Sequence, residues 1–200
     1  MNLLERLHGG YIQQKRLNGL VRHLKDVIPK HASVLDVGCG DGRLAALLHE
    51  KRPDLVVEGI DVLQREKVWI PVQHFDGVTI PYKSASLDVV MLIDVLHHTD
   101  DPVSLLREAA RVARKSIVIK DHLIDGLLAE STLRFMDRIG NARYGVALPG
   151  NYWRLSQWEK AFRALALTPV EWRKELGLYP KILDLWFGRT LHFVAKLEAA

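Results

Sequence analysis

Apolar residues recur along the chain in two alternating patterns. Short runs rich in Val, Ile and Leu are separated by stretches in which apolar residues fall at the spacing of an amphipathic helix. The strand-like runs are SVLDV, LVVEGIDV, PVQHFDG, SLDVVMLIDV and KSIVIKD, and the helical stretches are GRLAALLHEKR and DPVSLLREAARVARK. Strands that are apolar almost throughout predict a parallel sheet covered by helices on both faces.

Polar residues and prolines indicate where the helices begin and end. Asp41 is placed to cap the first of the two helices, and Asp101 can cap the second, with Pro102 at its first position. Residues 2–28 also have helical spacing, with a break expected at Gly9-Gly10 before Pro29 ends the segment.

The last 80 residues or so depart from the strand and helix alternation. Residues 121–154 begin as a helix interrupted at Gly126, DHLIDGLLAESTLRFMDRIG, and continue as a long loop, NARYGVALPGNYW. LSQWEKAFRALAL then predicts an amphipathic helix. TPVEWRKEL and RTLHFVAKLE alternate apolar with polar residues, so we expect two paired strands at the end of the sheet.

The composition is that of one globular domain. The chain has 200 residues, of which 48% are hydrophobic, enough for a full core. We expect a single domain over residues 1–200, with residues 1–30 as an N-terminal helical cap and residues 121–154 as an insertion. The formal net charge of +4 is far below the dense Lys/Arg clustering of dedicated nucleic-acid binders.

Cysteine use and the apolar runs bear on the compartment. Cys39 is the single cysteine, so the chain has no intrachain disulfide and a reducing compartment is expected. The longest apolar run, VVMLI, is too short to span a bilayer, and the first residues lack the apolar segment of a signal peptide. We expect a cytoplasmic protein; its oligomeric state stays open.

A glycine-rich turn after the first strand is the strongest local signal. In VLDVGCGDG, Gly38, Gly40 and Gly42 follow an acid, Asp36, in the motif D-x-G-x-G-x-G. The dinucleotide fingerprint G-x-G-x-x-G has its third glycine where this chain has Arg43. The turn therefore speaks against an NAD-dependent oxidoreductase.

The motif and the segments after it resemble class I S-adenosylmethionine-dependent methyltransferases. The resemblance is closest to the small-molecule branch that includes ubiquinone/menaquinone C-methyltransferases, and it covers about residues 30–120 well. Its carriers are VLDVGCGDG, the acid of GIDV, HFDGVTIPYKSASLDVVMLIDVLHHTDDP and LLREAARVARKSIVIKD. One departure is Arg114-Lys115-Ser116, where the family usually has a Pro-Gly-Gly turn. The resemblance implies a Rossmann-like, doubly wound, seven-stranded sheet, mostly parallel with an antiparallel edge strand and helices on both faces.

The resemblance also implies a cofactor, S-adenosylmethionine, and S-adenosylhomocysteine as its product. Asp36 and carbonyls near Gly38 would receive the methionine ammonium, Asp61 would accept both ribose hydroxyls, and Asp76 would meet the adenine. The implied cofactor-binding residues are Asp36, Gly38, Cys39, Gly40, Asp61, Val62, Asp76, Gly77 and Ile93. Plainer roles stay open: Asp36 and Asp61 as turn or loop acids, Asp76-Gly77 as a turn pair, and Cys39 as a small filler.

Catalytic candidates follow the fourth strand, in LIDVLHHTDD. Ligands bind at the carboxyl ends of parallel strands, so Asp94 and His97 are candidates for catalysis, and His98 for a place beside the acceptor. A general base and a site-lining role both stay open for His97. Adjacent residues on a helix point in different directions, and no second ligand cluster is visible in the sequence. We therefore expect no metal.

The same segment and the variable parts of the chain bear on the acceptor. Methylases of nucleic-acid bases commonly carry an Asn/Asp-Pro-Pro-aromatic run after the fourth strand, and this chain has no proline there. Residues for acceptor recognition are expected in the N-terminal helix, after the fourth strand and in residues 121–154. The candidates are Tyr11, Arg16, His98, Tyr144, Asn151 and Tyr152.

The expected function is transfer of a methyl group to a small, partly apolar molecule by in-line displacement. The alternative is a non-catalytic protein of the same fold, acting as a binding module or partner subunit. The acceptor and the methylated atom, O, N or C, stay open.

Overall fold

The structure is a computed structural model that describes residues 3–141, 149–188 and 190–199. The strands are β1 (Ser33–Val37), β2 (Val56–Asp61), β3 (Val72–His74), β4 (Leu87–Ile93), β5 (Ala113–His122), β6 (Leu167–Arg173) and β7 (His192–Ala199). The α-helices are α1 (Leu3–Val27), α2 (Arg43–Lys51), α3 (Pro102–Val112), α4 (Ala129–Asn141), α5 (Leu155–Ala164) and α6 (Lys181–Leu183). A 3-10 turn covers Leu96–His98, and a π-helical turn covers Asp184–Gly188.

All seven strands form one sheet in the order β3-β2-β1-β4-β5-β7-β6. The pairs from β3 to β5 are parallel, whereas β7 is antiparallel to both β5 and β6. The predicted fold class is confirmed. Strand β6 lies at one edge of the sheet. The strand that runs antiparallel to its neighbours is β7, which lies between β5 and β6.

Helices cover both faces of the sheet. Successive side chains of a strand point to opposite faces, and here Leu35 and Val90 belong to one buried cluster whereas Val34 and Val89 belong to the other. The first cluster includes Leu105 and Leu106 of α3 and Trp158 and Phe162 of α5, and the second includes Leu20 and Leu24 of α1 and Leu44 and Leu48 of α2. This two-sided burial explains why the strands read as continuous apolar runs. No helix in the described ranges is both long and apolar enough to cross a bilayer.

Two helix boundaries differ from the sequence expectations. Helix α1 continues through Gly9-Gly10 without a break, because a glycine inside a helix costs only about 1 kcal/mol and packing of the following turns outweighs it. The residue before α2 is Gly42 in the left-handed conformation, so Asp41 is not the cap; its Oδ1 accepts the Arg43 N–H at 3.1 Å. At α3 the expectation is confirmed, since the Asp101 carboxylate accepts the Ser104 N–H and Pro102 begins the helix.

The helix expected from residue 121 begins later. Strand β5 extends to His122, and α4 begins at Ala129, after Gly126 and Leu128, which has a φ of 61°. The extra strand length is due to β7, which pairs with β5 as far as His122.

Gly42 provides a test of the turn before α2. Its φ is 76°, and a Cβ there would overlap Ile70 Cγ1. We expect Gly42→Ala to lower the free energy of unfolding by about 2–4 kcal/mol, because alanine disfavours the left-handed backbone and its Cβ would overlap Ile70. Thermal denaturation should show a midpoint roughly 10 °C lower. The matched control is Gly126→Ala, whose Cβ would find its nearest atom at 3.9 Å; equal midpoints for the two variants would contradict this account.

Candidate active site

Four strands carry an aspartate at the same edge of the sheet. Asp36 lies near the end of β1, Asp61 ends β2, Asp94 follows β4, and Asp121 lies near the end of β5. The parallel register aligns these ends, because Val37 pairs with both Ile60 and Leu92, and Ile93 pairs with Lys120. The carboxyl ends of parallel strands are where α/β sheets bind ligands, so this edge is the candidate site.

The glycine turn lies at the centre of this edge. The N–H groups of Gly38 and Cys39 donate to the Ile60 carbonyl at 2.8 and 3.1 Å, which ties the turn to β2. Gly38 and Gly40 have φ values of 70° and 61°. A Cβ at Gly38 would lie 2.6 Å from Val95, whereas a Cβ at Gly40 would meet no atom within 4 Å. The Gly40 backbone therefore borders open space, in which a ligand can approach the main chain closely.

Asp61 fixes the turn from the neighbouring strand. Its Oδ2 accepts the Gly40 N–H and its Oδ1 accepts the Leu63 N–H, both at 2.7 Å. Each carboxylate oxygen can accept a further hydrogen bond. Asp61 thus orients the turn and keeps acceptor capacity.

Asp36 has no compensating charge in the described part of the chain. It is 2% exposed, and no side chain described here donates to its carboxylate. Burial and the nearby charge of Asp61 raise the pKa of Asp36 to about 7. Because an unpaired buried carboxylate is costly, this group favours a bound cation.

The other expected cofactor residues surround the turn. Cys39 Sγ lies against Gly59, where a Cβ would come within 2.7 Å, and burial and the charge of Asp36 raise the pKa of its thiol. Cys39 therefore packs as a filler. Val62 is 46% exposed, beside Gly77, and Ile93 is half-buried at the end of β4.

Asp76 is used by its own turn. Its Oδ1 accepts the N–H groups of Val78 and Thr79 at 2.8 and 2.7 Å, and these hydrogen bonds hold its pKa below the usual range. The turn role of Asp76 is thus observed, and its contact with adenine stays a prediction.

Asp94 forms ion pairs that connect the turn after β4 with α1 and β5. Its φ is 57°, and its carboxylate pairs with Arg16 of α1 and with the fully buried Lys120 of β5. Burial raises the pKa of Asp94, but the charges of Lys120 and Arg16 outweigh it and hold the pKa well below its usual range. A carboxylate held by two cations is a weak proton acceptor, so the geometry favours a structural role for Asp94 over that of a base. Lys120 also reaches His192 Nδ1 at 3.2 Å.

His97 lies buried between two carboxylates. Its Nδ1 is 2.7 Å from Asp121 Oδ1, and its Nε2 is 3.3 Å from Asp137 Oδ2 of α4 without hydrogen-bond geometry. Burial lowers the pKa of His97, but the charges of Asp121 and Asp137 outweigh it and raise it to about 10. With a pKa of about 10, His97 is charged near neutral pH.

The loop before α5 is fastened to this cluster. The Tyr152 hydroxyl donates to the Asp137 carboxylate, and its ring stacks on His97 with centroids 5.5 Å apart. Asn151 donates its backbone N–H to the His97 carbonyl at 3.1 Å and its Nδ2 to the Thr99 carbonyl at 2.6 Å. Asn151 therefore uses its amide donor to hold the loop.

The other three residues expected to contact the acceptor differ in position and exposure. His98 is half-buried beside His97, with ring centroids 3.9 Å apart, and burial and the His97 charge lower its pKa. Tyr11 is 63% exposed, on a groove of about 310 Å³ between α1 and Gly177. Tyr144 lies outside the described residues.

A family model described as a methyltransferase domain matches residues 10–171, which is most of the chain. The chain belongs to this methyltransferase family. Its cofactor is S-adenosylmethionine.

The chain is similar to several curated methyltransferases. The 27-O-demethylrifamycin SV methyltransferase of Amycolatopsis mediterranei is 29% identical over 55% of this chain and 48% of that protein. The trans-aconitate 2-methyltransferase of Azoarcus sp. is 25% identical over 84% of this chain and 77% of that protein. The chain spans less than half the length of the first curated relatives that it matches.

The fold has solved counterparts. A Thermotoga maritima structure, described as a possible histamine N-methyltransferase, has a TM-score of 0.63 at 15% identity, covering 98% of each chain. At this identity the likeness concerns the fold alone.

The sequence analysis did not predict several residues of the candidate site. Asp121 and Lys120 lie near the end of the buried strand β5, so the strand-end position that selected Asp94 after β4 also marks these two residues. Asp137 and His192 reach the site from α4 and β7. No local pattern marks these two residues, because their places depend on how α4 and β7 pack.

The pKa of Asp36 gives a pH-dependent test in the ligand-free protein. Its pKa is about 7 in the folded state against about 4 unfolded, so ionisation penalises the fold increasingly from about pH 4 to pH 7. Asp36→Asn removes that penalty, and we expect a gain of about 4 kcal/mol at pH 8, or roughly 10 °C in thermal midpoint. The gain should shrink as the pH falls and vanish near pH 4. A gain in stability that is independent of pH would contradict the conclusion that the Asp36 carboxylate lacks a compensating charge.

Proposed function

We propose that this protein transfers the methyl group of S-adenosylmethionine to a small, partly apolar molecule by in-line displacement. The observation that carries the proposal is the buried, uncompensated carboxylate of Asp36 beside a glycine turn whose Gly40 backbone borders open space. A cationic ligand without phosphate matches these features, because a carboxylate attracts an ammonium and repels a pyrophosphate.

The residues present fit S-adenosylmethionine. Asp36 would hold the ammonium of the methionine part, Gly38 and Gly40 would admit it close to the main chain, and Asp61 would accept the ribose hydroxyls. We assign the remaining contacts with the cofactor to Cys39, Val62, Asp76, Gly77 and Ile93. When bound, the cofactor supplies a methyl group already activated by a sulfonium.

The protein's own part is then to align the acceptor and exclude water. The turn after β4 carries Asp94, His97 and His98, and the Asn151-Tyr152 loop closes against it. Arg16 brings α1 onto the same turn through Asp94. We propose that the acceptor binds between this turn, α4 and the loop.

The charged groups of the turn have positioning roles in this proposal. Asp94 joins α1 to β4 and β5 through Arg16 and Lys120, and His97 orients Asp137 and Tyr152 through its contact with Asp121. Neither is suited to take a proton at neutral pH, since the pKa of Asp94 is depressed and that of His97 is about 10.

A small, partly apolar acceptor agrees with the apolar packing between α4 and the loop. Ala129, Leu133, Tyr152 and Leu191 form a buried apolar cluster, with Met136 packed against it. Small-ligand pockets are mostly apolar with a few placed polar groups. The acceptors named for two relatives, a rifamycin and trans-aconitate, are also small molecules. A cytoplasmic location is part of this proposal; a non-catalytic role is disfavoured by the fit of Asp36, Gly40 and Asp61.

Asp61→Ala tests the cofactor site. We expect S-adenosylmethionine binding to weaken roughly 100-fold, or about 3 kcal/mol, because the variant loses a charged acceptor and the fixation of the Gly40 N–H. Isothermal titration calorimetry measures the effect. The control is Glu58→Ala on the same strand, an exposed acid that accepts from Tyr82. Equal affinity of the Asp61→Ala variant and the parent would show that Asp61 does not contribute to cofactor binding.

The acceptor class is tested with polymers. We expect weak binding to mixed RNA and DNA at physiological salt and no methyl incorporation into either, since the modest charge surplus gives little attraction to phosphates. Filter binding at low and physiological salt, beside a labelled-methyl assay, measures both. Sub-micromolar, salt-sensitive binding together with methylation of a polymer would refute the small-molecule assignment.

A further inference from the structure

We propose that His97, His98 and Asp137 form a binding site for one divalent transition-metal ion, with zinc as the best match. The role of this ion in acceptor activation rests on the proposed function, whereas its binding does not. The proposal reverses the expectation of no metal, which rested on the different directions of adjacent side chains and on the lack of a second ligand cluster in the sequence.

The three side chains have the spacing of a coordination set. One ligand atom from each lies within 4.8 Å of the others. His97 Nε2 and Asp137 Oδ2 are 3.3 Å apart. Two ligands at about 2.0–2.2 Å from a tetrahedral ion stand about 3.3 Å apart, so this pair needs little movement to hold one.

His97 is oriented as a metal-binding histidine usually is. Asp121 binds its Nδ1 at 2.7 Å, and the N–H groups of Leu96 and His122 in turn donate to the Asp121 carboxylate at 3.1 and 2.8 Å. A carboxylate on one ring nitrogen fixes the other toward the metal. The side chain of His97 is 1% exposed, and its Nε2 makes no hydrogen bond within the described residues. This nitrogen faces the Asp137 carboxylate at 3.3 Å, and a zinc ion would replace the His97 proton between these two atoms, so that binding would release a proton.

A second group of potential ligands, Asp94, His97 and His122, is less suitable. The Asp94 carboxylate already pairs with Arg16 and Lys120. A metal ion there would be repelled by two cations at close range. Among the described residues, Asp137 accepts a hydrogen bond from the neutral hydroxyl of Tyr152 and lies beside His97, so it keeps its negative charge for a metal.

The donor set indicates the kind of metal and its use. Two imidazoles and a carboxylate suit zinc, and three protein ligands leave one tetrahedral position for a substrate or water. An acceptor hydroxyl bound there would lose its proton to solvent more readily. Its oxygen lone pair would form the new O–CH₃ bond as the C–S bond breaks and its electron pair returns to sulfur. The acceptor class is therefore a hydroxyl compound.

Metal titration of the untagged, chelator-stripped protein tests the site without cofactor or acceptor. We expect calorimetry with zinc chloride to give one ion per chain, and cobalt to give the visible absorption of a tetrahedral site. His98→Ala and Asp137→Asn should each weaken zinc binding at least 10-fold, and Asp121→Asn about 10–100-fold. Circular dichroism confirms that each variant is folded.

Two further variants separate this site from other contacts. Tyr152→Phe removes the hydroxyl that competes for Asp137, and it should bind zinc at least as tightly as the parent. His74→Ala, which removes an exposed histidine of β3, should leave zinc binding unchanged. Absence of zinc binding in the parent, or equal affinities in the His98→Ala, Asp137→Asn and His74→Ala variants, would overturn the proposal. Zinc binding that depends on His98 and Asp137 supports the site even where methyl transfer is absent, a result that would contradict the proposed function alone.

Discussion

The charge at one edge of the sheet is the constraint on which the site depends. Four strands bring an aspartate to this edge, and buried carboxylates need partners. Asp94 is matched by Arg16 and Lys120, Asp121 by His97 and two backbone N–H groups, and Asp61 by two backbone N–H groups. Asp36 alone among the four lacks such a partner in the described residues, so it favours a cation from outside the chain.

The contrast between the unpaired Asp36 and the paired Asp94 and Asp121 divides this edge of the sheet into two halves. The half at β1 and β2 has an open glycine turn and an unneutralised acid, which suit the methyl donor. The half at β4 and β5 has its carboxylates paired within the chain, and we propose that it aligns the acceptor. Asp94 joins the halves, because its Arg16 contact brings α1 over the edge while its Lys120 contact holds it to β5.

The sequence predicted what is local and could not predict what tertiary packing decides. The strands, the Asp101 cap and the glycine turn follow from short patterns and are confirmed. The break at Gly9-Gly10 was wrong, because packing outweighs a weak propensity. Asp137 stayed hidden for a different reason: its distance of 3.3 Å from His97 depends on where α4 packs. Likewise, the pKa of about 10 for His97 depends on carboxylates that are 24 or more residues away in the chain.

Amide hydrogen exchange with bound S-adenosylhomocysteine tests the location of the cofactor site most directly. The product keeps the ammonium, ribose and adenine that this edge is proposed to hold. The account predicts slower exchange in peptides that cover residues 36–42 and 60–64, where Gly40 and Leu63 donate to Asp61. Unchanged exchange in both segments at saturating ligand, or protection confined to the groove on α1 that Lys15 and Arg22 line, would contradict it.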